Sequence, residues 1–302
     1  MGHSHNGHSH SHTHSVNKKA LTISFILISA YMLVELAGGF LTNSLALISD
    51  AGHMLSDAFA LGLSLSALLY GERAATPEKT YGYKRFEILA ALLNGILLVV
   101  LSAFILTEAV SRFSQPEAVM GEGMMLISVI GLIVNVVVAF VLSRGQTGEN
   151  LNVKSAFLHV IGDLLGSIGA IAAAILIIFF DWSIADPIAS IIVSLLVLYS
   201  GWHILKDAVN ILMEGKPANI DSEKVTAALK TVSGVTGVHD LHIWMITSDF
   251  PTLSVHLNVE AASDRDAILE EAVHIIYGET GIRHITVQTE GRELSIHEEC
   301  RM

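Results

Sequence analysis

The sequence predicts a membrane all-α bundle of six transmembrane helices followed by a small C-terminal α+β module, ferredoxin-like and of order αββαβ. Three observations predict it. The 302 residues are 52% hydrophobic and only 15% charged, with a mean hydropathy of +0.57, which is too apolar for an ordinary soluble domain. Six apolar runs, at about 20–41, 44–70, 87–111, 120–143, 153–180 and 183–206, each come near or exceed the roughly 20 residues that a helix needs to cross hydrocarbon. After Met213 the pattern changes to short, acidic, alternating segments.

Residues 1–17 come first, with His3, His5, His8, His10, His12 and His14 set among Ser, Thr, Asn and Gly. Such a segment cannot build a core, so it reads as a disordered, metal-collecting tail. Residues 18–210 form the transmembrane domain. Its topology follows from the basic residues in the links. Lys18 and Lys19 precede the first run, and Arg73, Lys79, Lys84 and Arg85 follow the second. Arg144 and Lys154 follow the fourth, and Lys206 and Lys216 follow the sixth, whereas the alternate links carry only Arg112. Both termini are therefore expected in the cytoplasm, with the chain in the plasma (inner) membrane. The first run is not a cleaved signal peptide, because it lacks a small-residue cleavage site and five more runs follow.

Residues 211–302 form the cytosolic module. Asp221, Ser222 and Glu223 open an amphipathic helix that runs to Val232. Segments 238–247 and 252–260 read as strands joined by the Ser-Asp-Phe-Pro turn, 264–278 as a second helix and 285–289 as a third strand. Two helices on a three-stranded sheet result.

Ionisable side chains inside a span need a partner or a function. His53 and Asp57 are spaced i, i+4 in the second run, on one helix face. His159 and Asp163 repeat that spacing in the fifth run. Together they offer two imidazole nitrogens and two carboxylate oxygens, a tetrahedral set for a divalent ion such as Zn²⁺. Asp57 lies about 20 Å along its helix from Ser44, near mid-membrane. Asp50 shares the His53 face and reads either as a feeder of ions or protons or as a solvated residue near the helix end. Glu35, Asn94 and Asn135 read as interhelical hydrogen-bond partners, and Glu87 and Glu108 as near-interface residues.

Several function classes are excluded. A net charge of −12 argues against nucleic acid, and the single cysteine, Cys300, rules out an intrachain disulfide and thiolate metal clusters. Neither a phosphate loop nor His-Glu-x-x-His occurs, so neither ATP hydrolysis nor a zinc hydrolase is expected and the chain is not read as an enzyme. A membrane-anchored metal sensor that signals through the cytosolic module is the alternative.

The stretch Ser44-Leu-Ala-Leu-Ile-Ser-Asp-Ala-Gly-His-Met-Leu-Ser-Asp57 resembles the second-helix signature of the cation diffusion facilitator family. Tyr81-Gly-Tyr-Lys-Arg-Phe-Glu87 with Asn94-Gly95 is similar to its third-helix entry, and His159-Val-Ile-Gly-Asp163 to its fifth-helix motif. The likeness runs from Lys18 to the end. A His-Asp plus His-Asp quartet resembles the zinc-type exporters, and implies Zn²⁺ efflux in exchange for protons by a homodimer with alternating access. No cofactor is implied: Zn²⁺ enters as transported and regulatory ligand, and the remaining partners are H⁺ and membrane lipid. Cadmium, cobalt and nickel remain open alternatives for such a ligand set.

By the same resemblance, His239, His256 and Glu290 are cytosolic zinc ligands, with His284 and Cys300 as further candidates. His242 is left out, because three residues after His239 it points to the other sheet face. His274 and His297 read as solvated. Lys84 and Glu214 fall where the family forms a charged interlock. In two respects the chain departs from relatives. The link between the fourth and fifth runs is short and lacks His, and the link between the second and third, Glu72 to Arg85, also lacks His, so no metal site is carried over to it.

Overall fold

The computed structural model describes residues 10–70, 76–115, 117–144 and 151–291, with side chains for all of these except 10–21, 60, 63–70, 142–144, 151–163 and 165. It forms two compact units, Met1–Ala75 with Ala91–Leu205 and Thr76–Ala90 with Lys206–Met302. Six long helices match the six apolar runs: α1 His10–Thr42, α2 Leu45–Tyr70, α3 Phe86–Ser114, α4 Gly121–Arg144, α5 Leu151–Phe180 and α6 Ala185–Leu212. Among the described residues, Thr22–Thr42, Phe86–Ser114, Gly121–Val141 and Ala185–Leu212 are each long and apolar enough to cross a membrane.

The surface of the first unit is apolar where a soluble protein would be polar. On α3, Leu93, Leu97, Val100 and Phe104 are 50–64% exposed in one stripe, while Leu98, Ile105 and Ala109 are buried on the other side. Such a face suits a hydrocarbon surrounding.

Two boundaries differ from the expectation. Residues 10–17, read as part of a disordered tail, belong to α1; polar residues without Pro can extend a helix once the apolar run has nucleated it. His3, His5 and His8 lie outside the described residues. α6 runs to Leu212 rather than ending near 206, because no helix breaker occurs before Gly215 and Pro217.

Short turns hold the helix ends. Asn43 takes a left-handed conformation (φ 58°), as helix C-termini favour, and Ser44 then caps α2 by accepting from the Leu47 amide at 3.2 Å. The buried Arg112 of α3 closes the turn, donating to the Asn43 carbonyl at 2.7 Å and to its side-chain oxygen at 3.0 Å while pairing with Glu108 and Glu117. At the same end the Met120 amide donates to the Thr42 carbonyl at 2.9 Å. α4 therefore starts where α1 stops, and α5 runs antiparallel to α2.

Asn94 and Asn135, both expected as polar partners, bond across helices. Asn94 of α3 donates to Ser56 of α2 at 3.0 Å, and Asn135 of α4 to Ser167 of α5 at 3.4 Å. Buried Glu35 accepts from Tyr31 of its own helix at 3.5 Å, and Tyr31 also donates to the Ile127 carbonyl of α4 at 2.6 Å.

The second unit has the expected order: α7 Ser222–Leu229, β1 Val235–Met245, β2 Pro251–Val259, α8 Arg265–Thr280 and β3 His284–Glu290. The strands lie β1-β2-β3, with β1 antiparallel and β3 parallel to β2. Asp221 and Asp264 cap the two helices by accepting from backbone amides, and Gly281 (φ 71°) ends α8 in the left-handed conformation. Leu229, Leu253, Val255, Leu257, Ala272 and Ile276 fill a core that packs both helices onto the sheet.

The close approach of α3 and α6 depends on glycine. A Cβ at Gly95 would stand 3.0 Å from the Leu205 amide nitrogen and 3.2 Å from the Gly201 carbonyl oxygen, both backbone atoms that cannot turn aside. Gly95→Val is expected to destabilise the detergent-solubilised chain by about 1–3 kcal/mol, the usual cost of overpacking. An unfolding midpoint equal to that of the wild type would contradict this packing.

Candidate metal centres

β1 and β2 bring the cytosolic site together by register. His239 stands directly opposite His256, so both rings project from one sheet face; their centroids are 5.3 Å apart at 83°. Glu290 ends β3 beside them, its carboxylate 2% exposed. One oxygen lies 3.3 Å from His239 Nε2 and the other 3.1 Å from His256 Nδ1. Gln288 Nε2 donates to Glu290 Oε1 at 2.7 Å and fixes the carboxylate plane.

A physical test of fit follows from bond lengths. Ligands about 2.0–2.1 Å from a tetrahedral Zn²⁺ stand about 3.3 Å from one another. The two measured nitrogen–oxygen separations match that edge. Among the described residues, His239, His256 and Glu290 form the one trio of His, Cys or acidic side chains spaced to hold a metal ion.

A β-bulge separates His239 from His242, with Asp240 at φ 51°. Strict alternation cannot foresee an extra residue, and asparagine and aspartate tolerate that conformation best among side-chain-bearing residues. The bulge turns Asp240 toward the site: one oxygen accepts from His242 Nε2 at 2.9 Å and the other is 3.6 Å from His256 Nε2. His242, excluded on face parity, thus reaches a carboxylate that itself faces His256. The His242 hydrogen bond, together with the charge of the neighbouring imidazoles, holds the Asp240 carboxyl below the ordinary carboxylate range.

His284 does not join this centre. Its ring packs against Tyr81 and Phe250, at 5.8 and 5.6 Å between centroids, at the opposite end of β3 from Glu290. Cys300 and His297 lie outside the described residues, and His274 is exposed on α8. Glu214 pairs with Arg85 at 3.1 Å, not with Lys84. Lys84 Nζ sits 3.9 Å over the Phe250 ring, and Glu87 accepts from Ser248 at 3.0 Å.

The second candidate centre lies in the first unit. His53 and Asp57 occupy one turn of α2, with Asp57 6% exposed. Asp50, open to a solvated reading from sequence, is 3% exposed and faces α5: a Cβ at Gly166 would stand 2.8 Å from its carboxylate oxygen. Antiparallel helices rise equally per residue, so from the Asp50–Gly166 contact position 163 falls level with His53 and position 159 level with Asp57. The side chains of His159 and Asp163 lie outside the described residues.

Residues 21–213 match the cation efflux transmembrane domain family, and residues 217–292 match the cation efflux protein cytoplasmic domain. The chain is 53% identical to the cadmium, cobalt and zinc/H(+)-K(+) antiporter of Bacillus velezensis, over 96% of this chain and 92% of that one. It is 44% identical to the zinc transporter ZitB of Escherichia coli, over 96% and 93% respectively. Among solved structures, the metal-bound C-terminal domain of the CzcD transporter from Cupriavidus metallidurans is 32% identical, covering 24% of this chain and 99% of that one with a TM-score of 0.23.

Removing the carboxylate from the sheet site should remove its metal. Glu290→Gln keeps the shape and takes from the trio its one carboxylate. The full chain, titrated with zinc in detergent, is expected to bind one equivalent fewer, and unchanged stoichiometry would contradict the reading of that trio as a metal centre.

Proposed function

The chain belongs to the cation efflux (cation diffusion facilitator) family of integral membrane proteins, and on that footing we propose that it exports Zn²⁺ from the cytoplasm in exchange for protons. The transported ion binds between α2 and α5, held by His53, Asp57, His159 and Asp163. What supports this most is the antiparallel contact of Asp50 with Gly166, which sets the two His-x-x-x-Asp motifs at one level of the bundle. One chain then supplies a complete four-ligand set. Cd²⁺ and Co²⁺, which appear in the relative's name, suit the same nitrogen and oxygen donors.

Exchange follows from the ligands' own chemistry. Zinc needs neutral imidazoles and ionised carboxylates, so the site sheds protons on loading and regains them on release. Histidine, with a reference pKa near 6.5, is the group that changes charge across physiological pH. No phosphate-loop motif occurs in the sequence, so an ion gradient is the energy source. Both termini face the cytoplasm, and the protein works as a homodimer in the plasma membrane. Zinc at His239, His256 and Glu290 reports cytoplasmic metal and regulates transport.

The sheet trio also suits a membrane-anchored sensor with no transport. Reconstituted vesicles separate the two readings. Wild-type chain is expected to move zinc under an imposed pH gradient and to move protons in return. His53→Ala is expected to abolish flux while leaving the zinc of the sheet trio bound. Flux that ignores the pH gradient overturns antiport, and wild-type flux in His53→Ala overturns the intramembrane site.

A further inference from the structure

α2 has two working faces. One carries Asp50 toward α5 and Met54 toward α1 and α4, and Asp57 shares it by helical spacing. The other, through positions 45, 49, 52 and 56, meets α3 and α6: Ser49 and Ser194 share a hydrogen bond at 2.9 Å, Gly52 lies against Leu101, and Ser56 accepts from Asn94 at 3.0 Å. Whatever holds the second face sets where the first one points.

The strongest hold is at the helix start. Asp186, in the first turn of α6, is fully buried. Its carboxylate accepts from the Ser44 hydroxyl, from the Leu45 amide at 2.9 Å and from the Ala46 amide at 3.2 Å. Two of the amides that every helix N-terminus leaves without an intrahelical partner are thereby satisfied, by a negative charge at the positive end of the α2 dipole. Charge-assisted bonds are about twice as strong as the neutral ones lower on the same face. The start of α2 is thus the most strongly fastened point on that face.

We propose that Asp186 is a positioning residue for transport: by clamping the first turn of α2 to α6 it sets the depth and tilt of the helix that carries His53 and Asp57. The proposal rests on the intramembrane zinc site proposed above. Its leverage is geometric. His53 lies about 13 Å along the helix from Ser44, so a tilt of about 5° moves its imidazole by about 1 Å, a misplacement that can cost on the order of 100-fold at a reacting centre. Asp186 touches neither the metal nor its ligands and acts only through α2.

The test is zinc uptake by proteoliposomes containing the full chain, comparing wild type, Asp186→Asn, Ser44→Ala and His53→Ala. Asp186→Asn keeps one acceptor oxygen and loses the charge and the second acceptor; it is expected to raise the half-saturating zinc concentration roughly tenfold or more while the maximal rate stays within about twofold. Ser44→Ala, which removes one of the three Asp186 bonds together with the Leu47 cap, is expected to shift half-saturation the same way by less. A residue that merely holds the fold together would lower the amount of active protein and the maximal rate without moving half-saturation, so an unchanged half-saturation in Asp186→Asn overturns the proposal. If that variant does not fold, Ser44→Ala decides: a raised half-saturation supports the clamp and an unchanged one overturns it. Wild-type flux in His53→Ala would instead overturn the site on which the proposal rests.

Discussion

Hydrocarbon does not solvate charge, and that constraint organises this protein. Asp50, Asp57 and Asp186 are each less than a tenth exposed, and His53 stands among them on α2. A carboxylate buried in a bilayer must be compensated by donors, protons or cations. Asp186 takes the first solution, with backbone and hydroxyl donors at a helix start. For Asp57 and His53, the compensating species under the proposed function is a metal ion that protons can replace. The same physics thus accounts for the fastening at one end of α2 and for the exchangeable site proposed further along it.

The two centres solve the coordination problem differently. In the sheet, register does the work: His239 and His256 face each other across a ladder whose hydrogen bonds fix their separation, and Glu290 enters from the parallel neighbour. Such a frame holds its ligands whether or not metal is present, which suits a site that senses concentration. In the bundle, the proposed ligands belong to two helices, α2 and α5, that approach each other at a glycine. Gly166 brings the α5 backbone against Asp50, and a Cβ there would displace the carboxylate, standing 2.8 Å from its oxygen. Helices joined by such contacts can shift against each other more easily than strands can, and a site that must open to either side needs that freedom.

Most of the architecture was legible because bilayers and sheets impose simple periods. Six runs of sufficient length gave six helices, and alternating segments between Asp caps and a Gly stop gave the αββαβ module. Legibility failed wherever a local irregularity decided the outcome. The bulge at Asp240 breaks the period of two, and it alone connects His242 to His256 through a carboxylate. Charge type at 84 and 85 is identical, so only the fold shows that Arg85 rather than Lys84 pairs with Glu214. Asp186 resembles any acidic residue in a first helical turn, because its partners at 44–46 lie some 140 positions away. Polar residues 10–17 carry no apolar signal, yet a helix nucleated downstream extends through them.

The central claim is that two imidazoles and two carboxylates, one of each from α2 and from α5, close around a single ion. X-ray absorption at the zinc edge tests it directly, on chain in which residues 1–17 are removed and His256 is replaced by alanine, loaded with one zinc per chain. The account predicts four nitrogen or oxygen ligands at about 2.0–2.1 Å, two of them showing imidazole scattering that falls to one in His159→Ala. A spectrum with one imidazole or none, or one that His159→Ala leaves unchanged, would contradict it.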